Sequence, residues 1–568
     1  MSTLDPAVAV GRLWVGRARR TAAQVESWPV RRVLAGLVAV EWLAVLALAL
    51  TVRHAGWIYY QGGDQLWFYT LGWLLGHGQL GQTPVGYGSA VLYAPLARIF
   101  GPNLVAALPA IVLFNLLVLL PAAMLALYGI AARIGGRLFG YWTLVVWIAA
   151  PFIGIVYTNA GYHQRYTELT LPQSFGLTAM ADFPTMVAAL VSTYFVARVV
   201  FDRNPELIDA LCGGVAAGAA IAFKPATALF LVGPALAVAY RRRLVGAAGF
   251  VAGLLPALLA LAVWKERGLG QLPIVGLGST RRLAGGAASF AALPLGAVDL
   301  GKYFQNLDWD RFLWNLDLLR EHFWSARLLE WLVIAGLFAL GRRSITALLL
   351  VGSSLVAFLL VKGSYTAASV EDSSVFRLLM PSFPAFVLLL ASLPLLLPHA
   401  PGALREWRPA GAPLRLRTRW TLLAVAILVS AVLPLVTFAA ARTAGPLTPA
   451  TIGATSMPIP ANVDLALVAT TRGREVVLQW RGGSPFGGPV FFRVLRGRRD
   501  GFTCPPSRGG RMCNVSLPEI GVTRQPEFRD RPGTGRFVYR VAIAANWLND
   551  PQYGDPYLVS GPVTVRVP

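Results

Sequence analysis

Long uninterrupted apolar runs constrain this chain more than any other feature. Eleven runs are long enough, or nearly so, to cross a bilayer: 33–52, 103–130, 138–157, 179–200, 208–223, 225–240, 244–264, 326–341, 344–361, 375–397 and 420–440. A spanning helix needs roughly 20 apolar residues, since it rises about 1.5 Å per residue through ~30 Å of hydrocarbon. The fifth, sixth and eighth runs are short and suit a locally thin region of bilayer. Composition agrees. Of 568 residues, 56% are hydrophobic and 14% charged, against about 25% charged in a soluble domain. A soluble enzyme, a disordered chain and a fibrous chain are excluded. The expected fold class is an α-helical polytopic membrane protein of about 11 spans. A short N-terminal segment 1–32 precedes a transmembrane domain 33–440. A linker, 441–460, and an all-β domain, 461–568, follow.

Positive charge marks orientation. The net charge is +23, which in a soluble protein would point to nucleic acid. Here the cations flank the apolar runs, as orientation signals do, and no nucleic acid is expected. With the N-terminus in the cytoplasm, inner segments carry 20 arginines, including Arg133, Arg137, Arg198, Arg203, Arg342 and Arg343. The short outer loops carry six cations: Arg53, Arg98, Arg165, Lys224, Lys362 and Arg377. The expected location is the plasma membrane, multi-pass, with a cytoplasmic N-terminus and an extracytoplasmic C-terminal domain. No cleavable signal peptide is visible, because the first apolar run is long and lacks a small-residue cleavage site. Cys504 and Cys513 are nine positions apart in the polar C-terminal region. A disulfide between them fits an extracytoplasmic placement. Cys212 lies in an apolar run and reads as an inert core residue.

The outer side collects the unusual residues. Loops 53–102, 158–178, 265–325 and 362–376 fall there. The first is aromatic, with Trp57, Tyr59, Tyr60, Trp67, Phe68, Tyr69 and Trp73, and reads as interfacial helices near 64–76 and 90–100. Loop 265–325 interleaves Trp309, Trp314, Phe323 and Trp324 with charges. Asp64, in Gly62-Gly63-Asp64-Gln65, can serve as a general base on a hydroxyl or as a helix N-cap. Asp182, in Ala181-Asp182-Phe183-Pro184, is a carboxylate at the end of a span, costly unless paired; the alternative is again a cap. Lys224, in Phe223-Lys224-Pro225, can meet a phosphate or snorkel to the interface. Arg377 opens the tenth run and suits bidentate phosphate recognition, or pairing with Glu371 or Asp372. His163, Arg165, Tyr166 and Glu168 form a polar cluster that could orient acceptor or donor, a role Glu371 and Asp372 could share, or could be a solvated loop. Glu41 lies mid-span, where a hydrogen-bonded carboxyl inside the bundle is the plain reading. No Walker A sequence, nucleophile elbow or His-rich metal spacing occurs. No metal ligands and no required cofactor are assigned.

In order along the chain, Gly-Gly-Asp64-Gln followed by Trp-Phe-Tyr, then Tyr87-Gly-Ser-Ala-Val-Leu-Tyr93-Ala-Pro95, Met180-Ala-Asp182-Phe-Pro184, Ala222-Phe-Lys224-Pro225 and Arg377-Leu-Leu-Met-Pro-Ser-Phe-Pro384 resemble GT-C superfamily glycosyltransferases. The nearest likeness is to the bacterial branch of protein O-mannosyltransferases and lipid A aminoarabinose transferase, over roughly 30–400. The resemblance implies a polyprenyl-phosphate sugar donor and an envelope glycan, lipid or protein acceptor. Asp64 would be the general base and Asp182 a second site carboxylate, while Lys224 and Arg377 would hold the donor phosphate. Many relatives carry two adjacent acids in the first loop. Here Gln65 follows Asp64, and a single carboxylate ligates a divalent ion poorly, which argues against a strict metal requirement. A transporter, which would show repeat symmetry and midplane charge, a polyprenyl-linked glycan ligase and a non-catalytic scaffold are the competing readings.

The C-terminal region resembles a fibronectin type III domain. Glu475-Val-Val-Leu-Gln-Trp480 matches the strand with a core Trp, and Phe537-Val-Tyr539 matches the strand with the corner tyrosine. Period-two alternation runs through each segment. Arginines outnumber acids 15 to 8 over 461–568. A spacer or docking role is expected for this domain.

Overall fold

The computed structural model describes residues 24–51, 64–82, 85–101, 104–159, 170–269, 308–323, 326–365, 369–370, 374–398, 416–446, 466–481, 492–500, 502–503, 514–515, 517, 519–523, 525–544 and 556–568. His163, Arg165, Tyr166, Glu168, Glu371, Asp372, Cys504 and Cys513 lie outside them.

The helical part runs α1 (Val30–Thr51), α2 (Asp64–Gly76), α3 (Gly88–Phe100), α4 (Ala107–Tyr157), α5 (Asp182–Phe201), α6 (Leu207–Phe223), α7 (Pro225–Tyr240), α8 (Leu244–Leu269), α9 (Trp309–His322), α10 (Ala326–Arg343), α11 (Ile345–Gly363), α12 (Val375–Leu396) and α13 (Thr418–Ala440). Seven of these, α1, α4, α5, α8, α11, α12 and α13, are long and apolar enough to cross a membrane. α3, α6 and α7 are shorter apolar helices. The expectation of eleven spans is therefore not met by helix length alone. One reason is visible in α4, where Gly136 has φ 86 and ψ 179. The Tyr128 and Tyr141 rings stack with centroids 5.3 Å apart, whereas thirteen residues of straight helix would separate them by about 20 Å. The chain reverses at this glycine, which tolerates the positive φ, so α4 is two antiparallel arms.

The bundle shows apolar side chains on its outside as well as its inside. Leu43, Leu50, Val156, Leu244 and Phe338 are all more than 60% exposed. Such large apolar exposure belongs against lipid. α2 behaves differently from the interfacial helix expected there. Phe68, Tyr69, Leu71, Trp73, Leu74 and Leu75 are all buried, and Gly72 lets α2 close onto the Tyr93 backbone of α3. A helix apolar on every side is stable only when covered on every side. α9 keeps the interfacial character, with Trp309 58% and Trp314 38% exposed and Arg311 stacked over Trp314.

The chain then enters β2 (Arg442–Pro446), which pairs in parallel with β1 (Gln79–Gln82). The start of the expected linker is thus fixed to the segment between α2 and α3. Arg267 reinforces it by donating to the Ala441 carbonyl at 2.6 Å.

The C-terminal part holds β3 (Ala466–Arg472), β4 (Glu475–Arg481), β5 (Phe492–Gly497), β6 (Phe502–Thr503), β7 (Asn514–Val515), β8 (Glu519–Thr523), β9 (Glu527–Asp530), β10 (Gly535–Ala544), β11 (Pro556–Val559) and β12 (Val563–Val567). One sheet is ordered β3-β4-β9 and the other β11-β10-β5-β8, with β12 also on β10. Val476, Leu478 and Trp480 of the first sheet share one core with Phe492, Val494, Phe537, Tyr539, Val541, Val565 and Val567 of the second. The alternation seen in sequence places these residues inward. The Tyr539 hydroxyl donates to Asp530 at 2.7 Å and ties the two sheets together.

Candidate active site

Four segments far apart in sequence bring charge to one end of the bundle. Asp64 opens α2 and Asp182 opens α5, so both carboxylates sit at helix N-termini, where the helix dipole favours negative charge. Lys224 follows the last residue of α6. Pro225 ends that helix, and Lys224 adopts extended φ −136, ψ 104, as the residue before a proline does. Arg377 lies in the first turn of α12.

The four side chains meet. Lys224 Nζ is 2.5 Å from Asp182 Oδ1. Arg377 Nη2 is 2.5 Å from Asp64 Oδ2 and 3.7 Å from Asp182 Oδ2. Arg377 therefore bridges the two carboxylates. Asp182 is fully covered, while the Asp64 side chain keeps 44% of its surface and the two cations keep 21% and 25%. Asp182 Oδ2 has no hydrogen-bond partner in this arrangement. Burial favours the neutral form of Asp64, but the charge and hydrogen bond of Arg377, aided by Lys224, outweigh it and hold its carboxyl below the ordinary value. Asp64 is thus an ionised group at neutral pH with one open side.

The surrounding chain is built to hold this geometry. The backbone before Asp182 is pinned at Ala179, whose N–H donates to Gln65 Oε1 at 2.9 Å and whose carbonyl accepts from Tyr93 at 2.9 Å. Asn115, in a π-helical turn of α4, donates to the Gly176 and Thr178 carbonyls. Lys224 is backed by the loop before α3. A Cβ on Gly86 would fall 1.9 Å from the Ala222 carbonyl, and one on Gly88 2.7 Å from the Phe223 nitrogen. Lys265 and Trp264 both donate to the Val85 carbonyl, at 2.9 and 3.2 Å, and fix that loop from the other side.

Sequence reasoning missed two residues here. Gln65 was read as the position where a second acid is absent; it is a buried positioning residue, 0% exposed. Lys362, at the end of α11, is 3% exposed, faces the Tyr365 ring at 5.3 Å and lies within electrostatic range of Lys224. A signal existed. The chain has only four lysines, Lys224, Lys265, Lys302 and Lys362, and the three described ones all serve this end. Glu41 stays apart from the cluster. Trp147 and Gln173 donate to its Oε1 at 2.9 and 3.1 Å, which makes it a packing element between α1, α4 and the short helix Pro172–Gly176. Among the described residues no three His, Cys, Asp or Glu side chains gather as a metal-holding set.

The cluster presents Lys224 and Arg377 against Asp64 and Asp182, with Lys362 buried nearby. It has the parts for binding an oxyanion beside a carboxylate that accepts a proton.

No protein-family model matches the chain, and no curated protein matches it. Among solved structures it is similar to the archaeal oligosaccharyltransferase AglB from Archaeoglobus fulgidus, in complex with an inhibitory peptide and a dolichol-phosphate. The TM-score is 0.39 at 14% sequence identity, over 74% of this chain and 57% of that one.

Proposed function

We propose that this protein is a membrane-integral glycosyltransferase of the GT-C kind. It transfers a sugar from a polyprenyl-phosphate donor to an extracytoplasmic hydroxyl of an envelope glycan, lipid or protein. One observation carries the reading: two carboxylates and two cations from four distant segments converge at one end of an apolar bundle. A lipid-linked donor keeps its chain in the bilayer, so its phosphate arrives at a bundle end. Lys224 and Arg377 receive it there, with Lys362 adding positive potential. The phosphate draws the guanidinium to itself, and the hold on Asp64 relaxes. Asp64 then takes the proton of the acceptor hydroxyl as that oxygen attacks the anomeric carbon. The bond from that carbon to the phosphate oxygen breaks, the phosphate leaves with the electron pair, and the cations stabilise it. Attack from the side opposite the phosphate inverts the anomeric centre. Asp182 keeps Lys224 and Arg377 in register. The C-terminal domain is read as fibronectin type III-like and extracytoplasmic.

The test is substrate-blind. A deletion strain is complemented with wild type or Asp64→Asn at equal membrane abundance, and envelope glycans, glycolipids and polyprenyl-phosphate sugars are profiled by mass spectrometry. The expected result is loss of one sugar from one acceptor, with accumulation of its lipid-linked donor, in both the deletion and Asp64→Asn. Restoration of the wild-type profile by Asp64→Asn would reduce Asp64 to a helix terminus and overturn the assignment.

A further inference from the structure

The segment that leads from α4 into α5 runs through the interior of the bundle. Every residue from Thr170 to Asp182 is buried, yet only Pro172–Gly176 is helical before α5 begins. Irregular backbone inside an apolar bundle persists only where protein groups satisfy its polar atoms. Asn115, Gln65 and Tyr93 do so at Gly176, Thr178 and Ala179. Nearer the start of the segment the anchor is Gln173, 2% exposed, against Glu41 of α1, 0% exposed.

The hydrogen bonds around Glu41 are lopsided. Its Oε1 accepts from Gln173 Nε2 at 3.1 Å and from Trp147 Nε1 at 2.9 Å. The remaining oxygens of the two groups, Glu41 Oε2 and Gln173 Oε1, are both buried without a partner. No charged side chain acts on Glu41 among the described residues. An ionised carboxylate can only accept, and so can an amide oxygen. A charged Glu41 would therefore leave two desolvated acceptors unsatisfied, which is costly in a bundle interior. One proton resolves both. With the proton on Oε2, that oxygen donates to Gln173 Oε1 while Gln173 Nε2 donates to Glu41 Oε1, and the two groups close a ring. Turning the amide over would instead set oxygen against oxygen at Oε1.

We propose that Glu41 is a neutral carboxylic acid, its Oε2 proton donated to Gln173 Oε1, and that this acid–amide pair is a positioning device for the charged cluster. Two routes lead from it to the site. Gln173 fixes the buried segment that delivers Asp182 nine residues later. Trp147, held by the same Oε1, packs edge-on against Phe383 at 5.5 Å, and Phe383 lies in α12, which carries Arg377. Neutrality lets the pair sit inside the bundle without a counter-charge that would compete with Asp64 and Asp182 for the cations. The effect on transfer rests on the glycosyltransferase reading; the protonation state of Glu41 does not.

The test uses the full-length protein in nanodiscs of neutral lipid at neutral pH. The infrared difference spectrum of wild type minus Glu41→Gln is expected to show the carbonyl band of a neutral carboxylic acid. Glu41→Gln keeps the acceptor for Trp147 and offers Gln173 Oε1 an N–H in place of the O–H, so it should melt with wild type. Glu41→Leu strands Trp147 and Gln173 and should melt lower. With the donor and acceptor named by the profiling, its kcat per folded molecule should fall about tenfold or more through misplacement of the cluster, and Glu41→Gln should restore it. A difference spectrum without the acid band overturns the neutral assignment, as does a Glu41→Gln that melts as low as Glu41→Leu. A wild-type kcat in folded Glu41→Leu overturns the positioning role. Failure of the transferase reading is distinguishable: Asp64→Asn would restore the wild-type profile while the acid band remained. A missing band beside an inactive Asp64→Asn strikes this proposal alone.

Discussion

The two ends of the helical bundle both hold buried ion pairs, and they differ in how completely the charges are used. At the far end, Arg133 meets Asp202 at 3.0 Å, Arg198 meets Asp209 at 3.2 Å, and Arg419 meets Glu206 and Asp209, both at 2.6 Å. Backbone carbonyls join in, as Arg343 donates to Ile134 at 2.8 Å. Each of these carboxylates is engaged, with Arg198 Nε lacking a hydrogen bond and Glu206 keeping 44% of its side-chain surface, and the network clamps α4, α5, α6 and α13 together. At the site end, Asp182 Oδ2 lacks a hydrogen bond and Asp64 keeps an open side. A network in which every buried carboxylate oxygen is paired serves stability. A network with a covered but unsatisfied oxygen and two part-exposed cations is the arrangement that the proposed donor phosphate would complete.

The largest effect expected from this contrast comes from Lys224→Met. Removing a cation aimed at the leaving phosphate should lower kcat/KM by about 10²–10³-fold, measured with the donor and acceptor found by the profiling above. It also strands Asp182 without its closest cation. Breaking one partner of a buried pair costs about 3–5 kcal/mol, so the melting temperature should fall too. The double variant Lys224→Met/Asp182→Leu should regain melting temperature and stay inactive. Arg133→Met at the other end should lower the melting temperature and leave the rate per folded molecule unchanged. A rate loss there as large as that of Lys224→Met would erase the distinction between the two ends.

A smaller effect is expected from Arg377→Lys, which keeps charge but loses the planar guanidinium whose Nη2 bridges Asp64 and Asp182. The KM for donor should rise about tenfold, with a lesser change in kcat. The pH profile sharpens the same point. Asp64 has a lowered pKa, so its contribution to stability is fully present above the ordinary carboxylate value, about 3.9. That contribution disappears as pH falls through the lower folded value. The acid limb of kcat/KM should therefore fall below the ordinary carboxylate range. In Arg377→Gln, burial is opposed by less positive charge and the limb should move to higher pH. A limb that stays in place would detach Arg377 from Asp64. The smallest effect is expected in the β-domain. Tyr539→Phe removes the bond to Asp530 and should cost about 1 kcal/mol of that domain's stability, read by thermal denaturation, with transfer unaffected.

Much of the helical architecture was legible because apolar run length is local information. The expected helix at 64–76 coincides with α2, and the split between runs 103–130 and 138–157 falls at the Gly136 reversal. What was misread is instructive. The aromatic content of α2 suggested an interface, but its burial depends on α3, whose approach is set by Gly72. Lys224 was read as meeting a phosphate or snorkelling to the interface, and neither reading foresaw that a carboxylate 42 residues away holds it. The interlocking pair Arg377 and Asp64 is separated by 313 positions, and no periodicity connects them. Gln65 beside Asp64 looked like a missing acid. Its partner, the Ala179 N–H, is 114 positions away.

The sequence by itself determined that this chain is a bundle of apolar helices followed by strands of period-two alternation. Those patterns follow from hydrocarbon thickness and from the geometry of helix and strand, which each segment obeys alone. The tertiary structure alone decided which charges meet, that Lys362 is buried within electrostatic range of Lys224, and that Arg536 and Arg566 stand opposite each other in the β-domain. Those facts depend on which helix ends and which strands become neighbours. In a low-dielectric bundle, a few ångströms decide whether a charge is paired, stranded or left facing a ligand.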